Sequence, residues 1–386
     1  MKSHAVRAYP FPSAPGLAVD GTFGWLRGHE PVSRISLPYG GDAWLAVRHE
    51  DVKFVMSDPR FSRAAAMAEE MPRQIPQQPA NRTITDLDRP EHSRLRRLLA
   101  PAFARSAVEP LRALARRHAE QLIEAMRRTG GRVDLVSGYT LPLPASVMGA
   151  VLGVPDRQLG EFRELADGLV AVRQLAPDDY AALVADLDAY LTGLVSERRA
   201  VPTQDVLGRL VAARDGDDRL SEQELVSLSV TLLAAGYVTT AGQLANDLFL
   251  LLGERALWNS LLTGEIGLDT AVEELLRAVP LNDGTGFCRV ATEDVLVGDT
   301  VIRAGEAVFV ALNSANQDTA VFDHPDRVDL TRPFNPHVAF GYGPTAASAH
   351  ISRGSNSRRR SGRCSARPRT CDSRCRPRKC GGGATP

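Results

Sequence analysis

The chain has 386 residues, with 46 Lys and Arg against 46 Asp and Glu, so its formal charge is zero. That balance hides a split: residues 345–386 hold ten Arg and Lys379 against a single acid, Asp372, which leaves 35 basic and 45 acidic groups in the first 344 residues. A mildly acidic body argues against a general nucleic-acid binder, and 44% apolar with 24% charged residues argues against a disordered chain.

Cysteine divides the same way. Cys288 alone lies in the body, while Cys364, Cys371, Cys375 and Cys380 lie in the tail. A body without a disulfide framework fits a reducing cytosol. The N-terminal stretch MKSHAVRAYPFPSAP has no apolar core and does not read as a signal peptide, so a cytoplasmic location is expected.

Residues 1–50 are rich in Pro and Gly and end in AWLAVRHEDVKFVM, a strand running into a short helix. Polar residues with Pro72, Pro76 and Pro79 make 64–90 a loop. Helices are expected over about 91–105, 108–129 and 140–152, then 156–173 and 178–199. In the second of these, Leu111, Leu114, Ala115, His118 and Leu122 share one face.

The clearest element starts at Ser221. Ser221 and Glu224 form a capping box, and Leu220 can staple onto Leu225. The helix can run to Leu252, about 48 Å at 1.5 Å per residue. Gln243, Asn246 and Asp247 interrupt its apolar run, which makes it a buried core helix rather than a membrane span. Later, Val295, Val297, Val301 and Ile302 around Gly298-Asp299 predict short antiparallel strands. The fold class is therefore mainly α, with a long central helix, a small β region and no internal repeat.

Five segments in order carry a resemblance: DRPEHSRLRRLLAPAF (88–103), AAGYVTT (234–240), EELLRAVP (273–280), CRVATEDVLVGDTVIRAGEAVFVALNSANQD (288–318) and FDHPDRVDLTRPFNPHVAFGYGP (322–344). Each is modestly specific alone. Together they resemble the soluble bacterial haem-thiolate monooxygenases of the cytochrome P-450 superfamily, over residues 8–344. The resemblance implies haem b as cofactor and insertion of one atom of O₂ into a small organic substrate. Electrons would arrive from NAD(P)H through a ferredoxin and its reductase. No membrane partner is implied, and secondary-metabolite tailoring fits by analogy.

A buried haem carries two propionates, which need charge-assisted donors. His92 and Arg96, four apart on one helix face, match positions that hold one propionate in the family; by themselves they also read as a solvated helix face. Arg289 and His337 match the other propionate ligands. Glu274 and Arg277 match the family's Glu-x-x-Arg pair, with Arg332 the candidate third member of a structural network. The bland alternative for the pair is a surface i,i+3 contact.

Gly236, Thr239 and Thr240 fall where the family's helix opens beside the haem, and Thr239 matches the threonine that assists oxygen activation. Its bland alternative is a hydroxyl bonded back to its own helix carbonyl. Two departures stand out. Val238 replaces the usual acid that relays protons, and Asn316-Gln317-Asp318 replaces Asn-Arg-Asp. Residues 61–90 and 165–180 are expected to line the substrate pocket, without a readable code.

A third departure is larger. After FGYGP the family continues His-x-Cys-x-Gly and then an Ala-x-Leu-Ala-Arg-Leu-Glu-Leu helix, the Cys thiolate being the axial iron ligand. Here TAASAHISRGSNS comes next, with Ala347 at the thiolate position. One permitted codon choice for residues 344–357, with a cytosine restored to the run at Pro344-Thr345, reads Pro-His-Arg-Cys-Leu-Gly-Ala-His-Leu-Ala-Arg-Leu-Glu-Leu. The residues fix the first two bases of nearly every codon, so chance agreement is remote. A one-base deletion, real or a sequencing error, would leave 1–344 as the P-450-like domain without its ligand loop and last helix, and 345–386 as an out-of-frame Arg-rich tail expected to be disordered. The chain as written would then hold haem poorly and be inactive.

Rival readings are a non-catalytic ligand-binding protein of the same fold, and a tail that binds zinc or nucleic acid. The 7-4-5 spacing of the tail cysteines lacks the paired knuckles of ordinary zinc sites. Cys288 is a poor substitute iron ligand, since strand alternation turns it away from Arg289.

Overall fold

The computed structural model describes residues 5–12, 14–76, 83–171, 174–215, 218–281 and 288–346. The chain divides into compact units 1–352 and 353–386, and every described residue belongs to the first. Ala347, the tail cysteines and most of the Arg-rich stretch lie outside the described residues, as do 77–82 and 172–173 within the segments expected to line the pocket.

Among the described residues, the N-terminal third runs β1 (Arg7–Ala8), α1 (Gly21–His29), β2 (Val32–Ser36), β3 (Asp42–Ala46), α2 (His49–Ser57), β4 (Phe61–Ser62), α3 (Glu91–Leu99) and α4 (Arg105–Thr129). The helical middle comes next: α5 (Pro142–Leu152), α6 (Leu159–Val170), α7 (Pro177–Ala200), α8 (Val206–Ala212), a β5–β6 hairpin (Arg214–Asp215, Asp218–Arg219), α9 (Glu222–Gly253), α10 (Arg255–Leu262) and α11 (Leu268–Ala278). The last described part holds β7 (Arg289–Ala291), β8 (Val295–Val297), β9 (Thr300–Ile302), β10 (Ala307–Val310) and α12 (Leu312–Ala315).

α9 begins as its sequence dictates. Ser221 Oγ accepts from the Glu224 amide at 3.2 Å, and the Glu224 carboxylate accepts from the Ser221 amide at 2.8 Å. Leu220 and Leu225 are both buried beside this cap. α5, α6 and α7 pack on α9, and the shared core collects Met148, Leu152, Phe162, Leu187, Leu191, Leu194, Leu233 and Tyr237. The Tyr237 hydroxyl donates to Asp167, tying α6 to α9. Its phenol pKa is raised, first by burial and then by that carboxylate.

The late strands form as expected, with Val295 opposite Ile302 in an antiparallel β8–β9 pair closed by Gly298 at φ +55°. The rest of the β structure is larger than its sequence suggests. β10 pairs in parallel with β3, Val308 opposite Trp44, within a six-stranded sheet ordered β1-β2-β3-β10-β7-β4. Alternation sorts this sheet into two faces. Ala43, Leu45 and Phe309 join Tyr9, Phe23 and Leu26 on one, while Trp44, Ala46, Val308 and Val310 join Val52, Val55 and Phe61 on the other.

Candidate functional site

Two charged clusters are buried within this frame. The first is built on α11. Glu274 is fully buried and its carboxylate is saturated with donors. Arg277 reaches both its oxygens at 2.8 Å, Arg332 Nε and Asn335 Nδ2 each donate at 3.0 Å, and the Asp329 amide donates at 2.9 Å. Arg277 in turn donates to the carbonyls of Asn316, Pro325 and Arg327 and lies over the Phe322 ring at 5.3 Å. So Glu274, Arg277 and Arg332 meet in the interior, and the surface-pair alternative is excluded. The segment from Pro325 to Asn335 is fastened repeatedly to one carboxylate and its guanidinium.

The departure at 316–318 leaves this fastening intact. Asn316 Oδ1 accepts from the Val338 amide at 2.8 Å, and Asp318 Oδ2 accepts from the His49 amide at 2.9 Å. The changed residue, Gln317, is half-buried.

The second cluster is cationic. His92 on α3 and Arg289 on β7 are buried, and Arg96 is half-buried one turn along from His92. Burial lowers the pKa of all three. Arg289 falls to about 10 and is pushed further by Arg63, while His92 is pushed further by Arg96 and Arg89. Asp88 offsets part of this at both His92 and Arg289. The same carboxylate caps the turn after β4, accepting from the Arg63 amide at 2.8 Å and from Ser62 Oγ at 2.5 Å.

Arg63 is the member that sequence reasoning missed. It is buried, pairs with Asp86 at 3.0 Å and donates to the carbonyls of Thr85 and Cys288. Its only signal is a lone arginine opening a loop, where no periodicity marks burial. His337 stands differently: its side chain is 2% exposed and its Nε2 lies 3.0 Å from Glu273, while Nδ1 accepts from the Ala339 amide at 3.2 Å.

Along α9 the helix is unbroken through 236–240, where the resemblance implies an opening. The Thr239 hydroxyl donates to the Ala235 carbonyl, the back-bond that closes such a helix. Gly236 has a packing reason, since a Cβ there would overlap the Met148 sulfur. Ala235, Thr239 and Thr240 are nevertheless exposed in mid-helix, although Leu233, Tyr237 and Ala241 around them are buried.

These residues fit a flat apolar group with two carboxylates. Ala235, Thr239 and Thr240 leave an open patch halfway along a core helix, and His92, Arg96 and Arg289 are of the types that donate to carboxylates. A thiolate ligand is a separate matter. Cys288 is the described free cysteine, and burial pushes its thiol up to about 12, so it is a packed thiol among the apolar residues of the sheet. Among the described residues no His, Cys, Asp or Glu cluster is arranged to hold a metal ion.

Comparison with known proteins assigns the class. The Cytochrome P450 family model matches residues 268–346. Nocardicin C N-oxygenase of Nocardia uniformis subsp. tsuyamanensis is 43% identical over 350 residues, covering 90% of this chain and 88% of that protein. Mycinamicin IV hydroxylase/epoxidase of Micromonospora griseorubida is 41% identical, covering 89% of this chain and 86% of that protein. The crystal structure of the LnmA cytochrome P450 hydroxylase from the leinamycin pathway of Streptomyces atroolivaceus superposes with a TM-score of 0.83 at 41% identity, covering 90% of this chain and 88% of that one. The chain belongs to the cytochrome P450 family. Its relatives are hydroxylases and oxygenases, and by family it is a monooxygenase that uses haem.

Proposed function

We propose that the gene encodes a bacterial P450 that oxygenates a small organic molecule in secondary metabolism, and that the chain as written has lost its axial sulfur to a reading-frame shift after Pro344. The observation that carries the haem assignment is the buried cationic cluster together with the uncovered middle of α9. His92 and Arg96 would hold one propionate, with Arg289 and His337 on the other. For His337 that requires exchange of its Glu273 contact for the propionate. Arg63 would reinforce the positive field at Arg289.

When bound, the haem supplies activation of O₂. Thr239 would assist by releasing its hydroxyl from Ala235, with Thr240 beside it and Gly236 letting α5 approach. Val238 holds no proton, so water or a substrate hydroxyl would supply protons at this turn. Glu274, Arg277 and Arg332 would lock the segment that leads to the ligand loop. Reduction by a ferredoxin and an NAD(P)H-dependent reductase in the cytoplasm is the family's arrangement. The names of nocardicin C N-oxygenase and mycinamicin IV hydroxylase/epoxidase support a substrate from secondary metabolism, read here as a small apolar or amphipathic molecule.

Two measurements test this. The nucleotide sequence across codons 343–350 is expected to lack one cytosine, and an uninterrupted gene encoding the same tail refutes the frame reading. Reduced and exposed to CO, the haemin-loaded chain is expected to lack the thiolate Soret band, whereas the gene with that base restored should give it. A thiolate band from the chain as written overturns the claim of inactivity. The rival, a ligand-binding protein without catalysis, would show tight binding of a small molecule with no haem present.

A further inference from the structure

α3 carries His92 and Arg96 on one side and a further arginine on the other. Arg94 is two residues from each, and two residues turn a helix through about 200°. Behind α3 it meets the start of α9. Arg94 Nη1 donates to Glu224 Oε1 at 2.9 Å and Nη2 donates to Oε2 at 3.1 Å, a bidentate pair. Its Nε lies 3.0 Å from Asp218 Oδ2 on the β5–β6 hairpin. All three side chains are half-buried.

Glu224 is itself held in place. The carboxylate that Arg94 grips also closes the capping box, accepting from the Ser221 amide at 2.8 Å. In the same turn Glu222 pairs with Arg199 of α7. Helix ends ordinarily fray, whereas this one is fixed to α7 on one side and to α3 on the other. Leu95, Leu98 and Leu99 seat α3 in the core, but apolar burial is non-directional and tolerates rotation. A planar guanidinium fork does not. With nine residues, α3 is too short to be a stable helix alone, so its contacts decide how it is set about its axis.

We infer that Arg94 is a positioning residue for the haem: through Glu224 and Asp218 it fixes the rotation of α3 against α9, and so presents His92 and Arg96 together to one propionate. This rests on the reading of His92 and Arg96 as propionate donors. Arg94 touches no reacting group. A half-exposed ion pair contributes little to global stability, so its consequence is one of orientation. The tie also makes α3 and the first turns of α9 one mechanical unit. A carboxylate seated on His92 and Arg96 therefore steadies the start of α9.

The experiment uses the full 386-residue chain as wild type, Arg94→Met and Arg94→Lys. Amide exchange is followed by mass spectrometry, and haemin binding by titration of the Soret band. Without haemin, Arg94→Met should speed exchange over 91–99 and 224–228 together by about threefold to fivefold, with the urea midpoint unchanged. The haemin dissociation constant should rise by about the same factor. The slowing of exchange at 224–228 that haemin causes in the wild type should disappear. Arg94→Lys keeps the charge without the fork and should fall between the two. If Arg94→Met fails to fold, Arg94→Lys carries the same tests. Unchanged exchange at 91–99 overturns the inference, whether or not haemin binds. So does a haemin affinity that stays put, or one that falls only in step with the urea midpoint. If 91–99 and 224–228 loosen together but the wild-type chain takes up no haemin, the α3–α9 tie stands and the haem reading alone is lost, so the two fail separately.

Discussion

The two buried charge clusters obey the same electrostatics and end in opposite states. Around Glu274 every donor converges on one carboxylate inside the protein, which faces two guanidiniums, an amide and a carboxamide. At Arg289 burial does most to lower the pKa and Arg63 adds to it, while Cys288 and Asp88 offset part of the shift. A closed cluster is a fastener, and its loss costs stability. Arg289 is instead a buried cation whose charge burial disfavours, so a carboxylate ligand would relieve it and its loss should cost binding.

The sharpest break of that comparison is at the closed end. Glu274→Gln leaves Arg277 and Arg332 buried without their anion, and should cost about 3–5 kcal/mol, read as a fall in the urea midpoint. An unchanged midpoint would mean that the network does not fasten 325–335. At the open end, Arg289→Met should lower haemin affinity about tenfold, or about 1.4 kcal/mol, while the haem-free chain keeps most of its stability. If stability falls as far as in Glu274→Gln and haemin affinity does not move, the two clusters are both structural.

A buried carboxylate of the opposite kind sharpens the rule. Asp51 on α2 is 5% exposed, its Oδ2 has no hydrogen-bond partner, and its pKa is raised to about 6, first by burial and then by Glu50. A raised acid favours the protonated fold. Its contribution is complete below the unfolded value near 4 and is lost as pH rises through about 6. Asp51→Asn should therefore stabilise the chain at pH 7.5 by on the order of 1 kcal/mol and flatten the stability profile between those values. A wild-type profile already flat there would remove the argument. The smallest effect belongs to Thr239→Val. It removes only a helix back-bond in the haem-free chain and should change the midpoint by less than about 0.5 kcal/mol. A larger loss would assign that hydroxyl a structural task its contacts do not contain.

Most of the longer helices were legible in the amino-acid order, as the expected stretches 108–129, 140–152, 156–173 and 178–199 fall on α4, α5, α6 and α7. By contrast, α1, α8 and α10 were not read, and the helix expected over 91–105 stops at Leu99. Ser221 and Glu224 start α9 because a capping box is a contact between residues three apart, and Gly298 turns β8 into β9 for equally local reasons. Five ordered segments were enough to place the chain in its family, and the composition break near 345 was visible without coordinates. Residues far apart in the chain acquire their joint roles only on assembly. The pairing of Val308 with Trp44 turned a small late β patch into part of a six-stranded sheet. Burial made Glu274 the hub of its network, and contact with Thr85, Asp86 and Cys288 turned an unremarked Arg63 into a core cation. Local propensity reports hydrogen bonds and periodicity within a few residues. Burial and the balance of charge are properties of the assembled interior, where distance through the chain no longer measures distance in space.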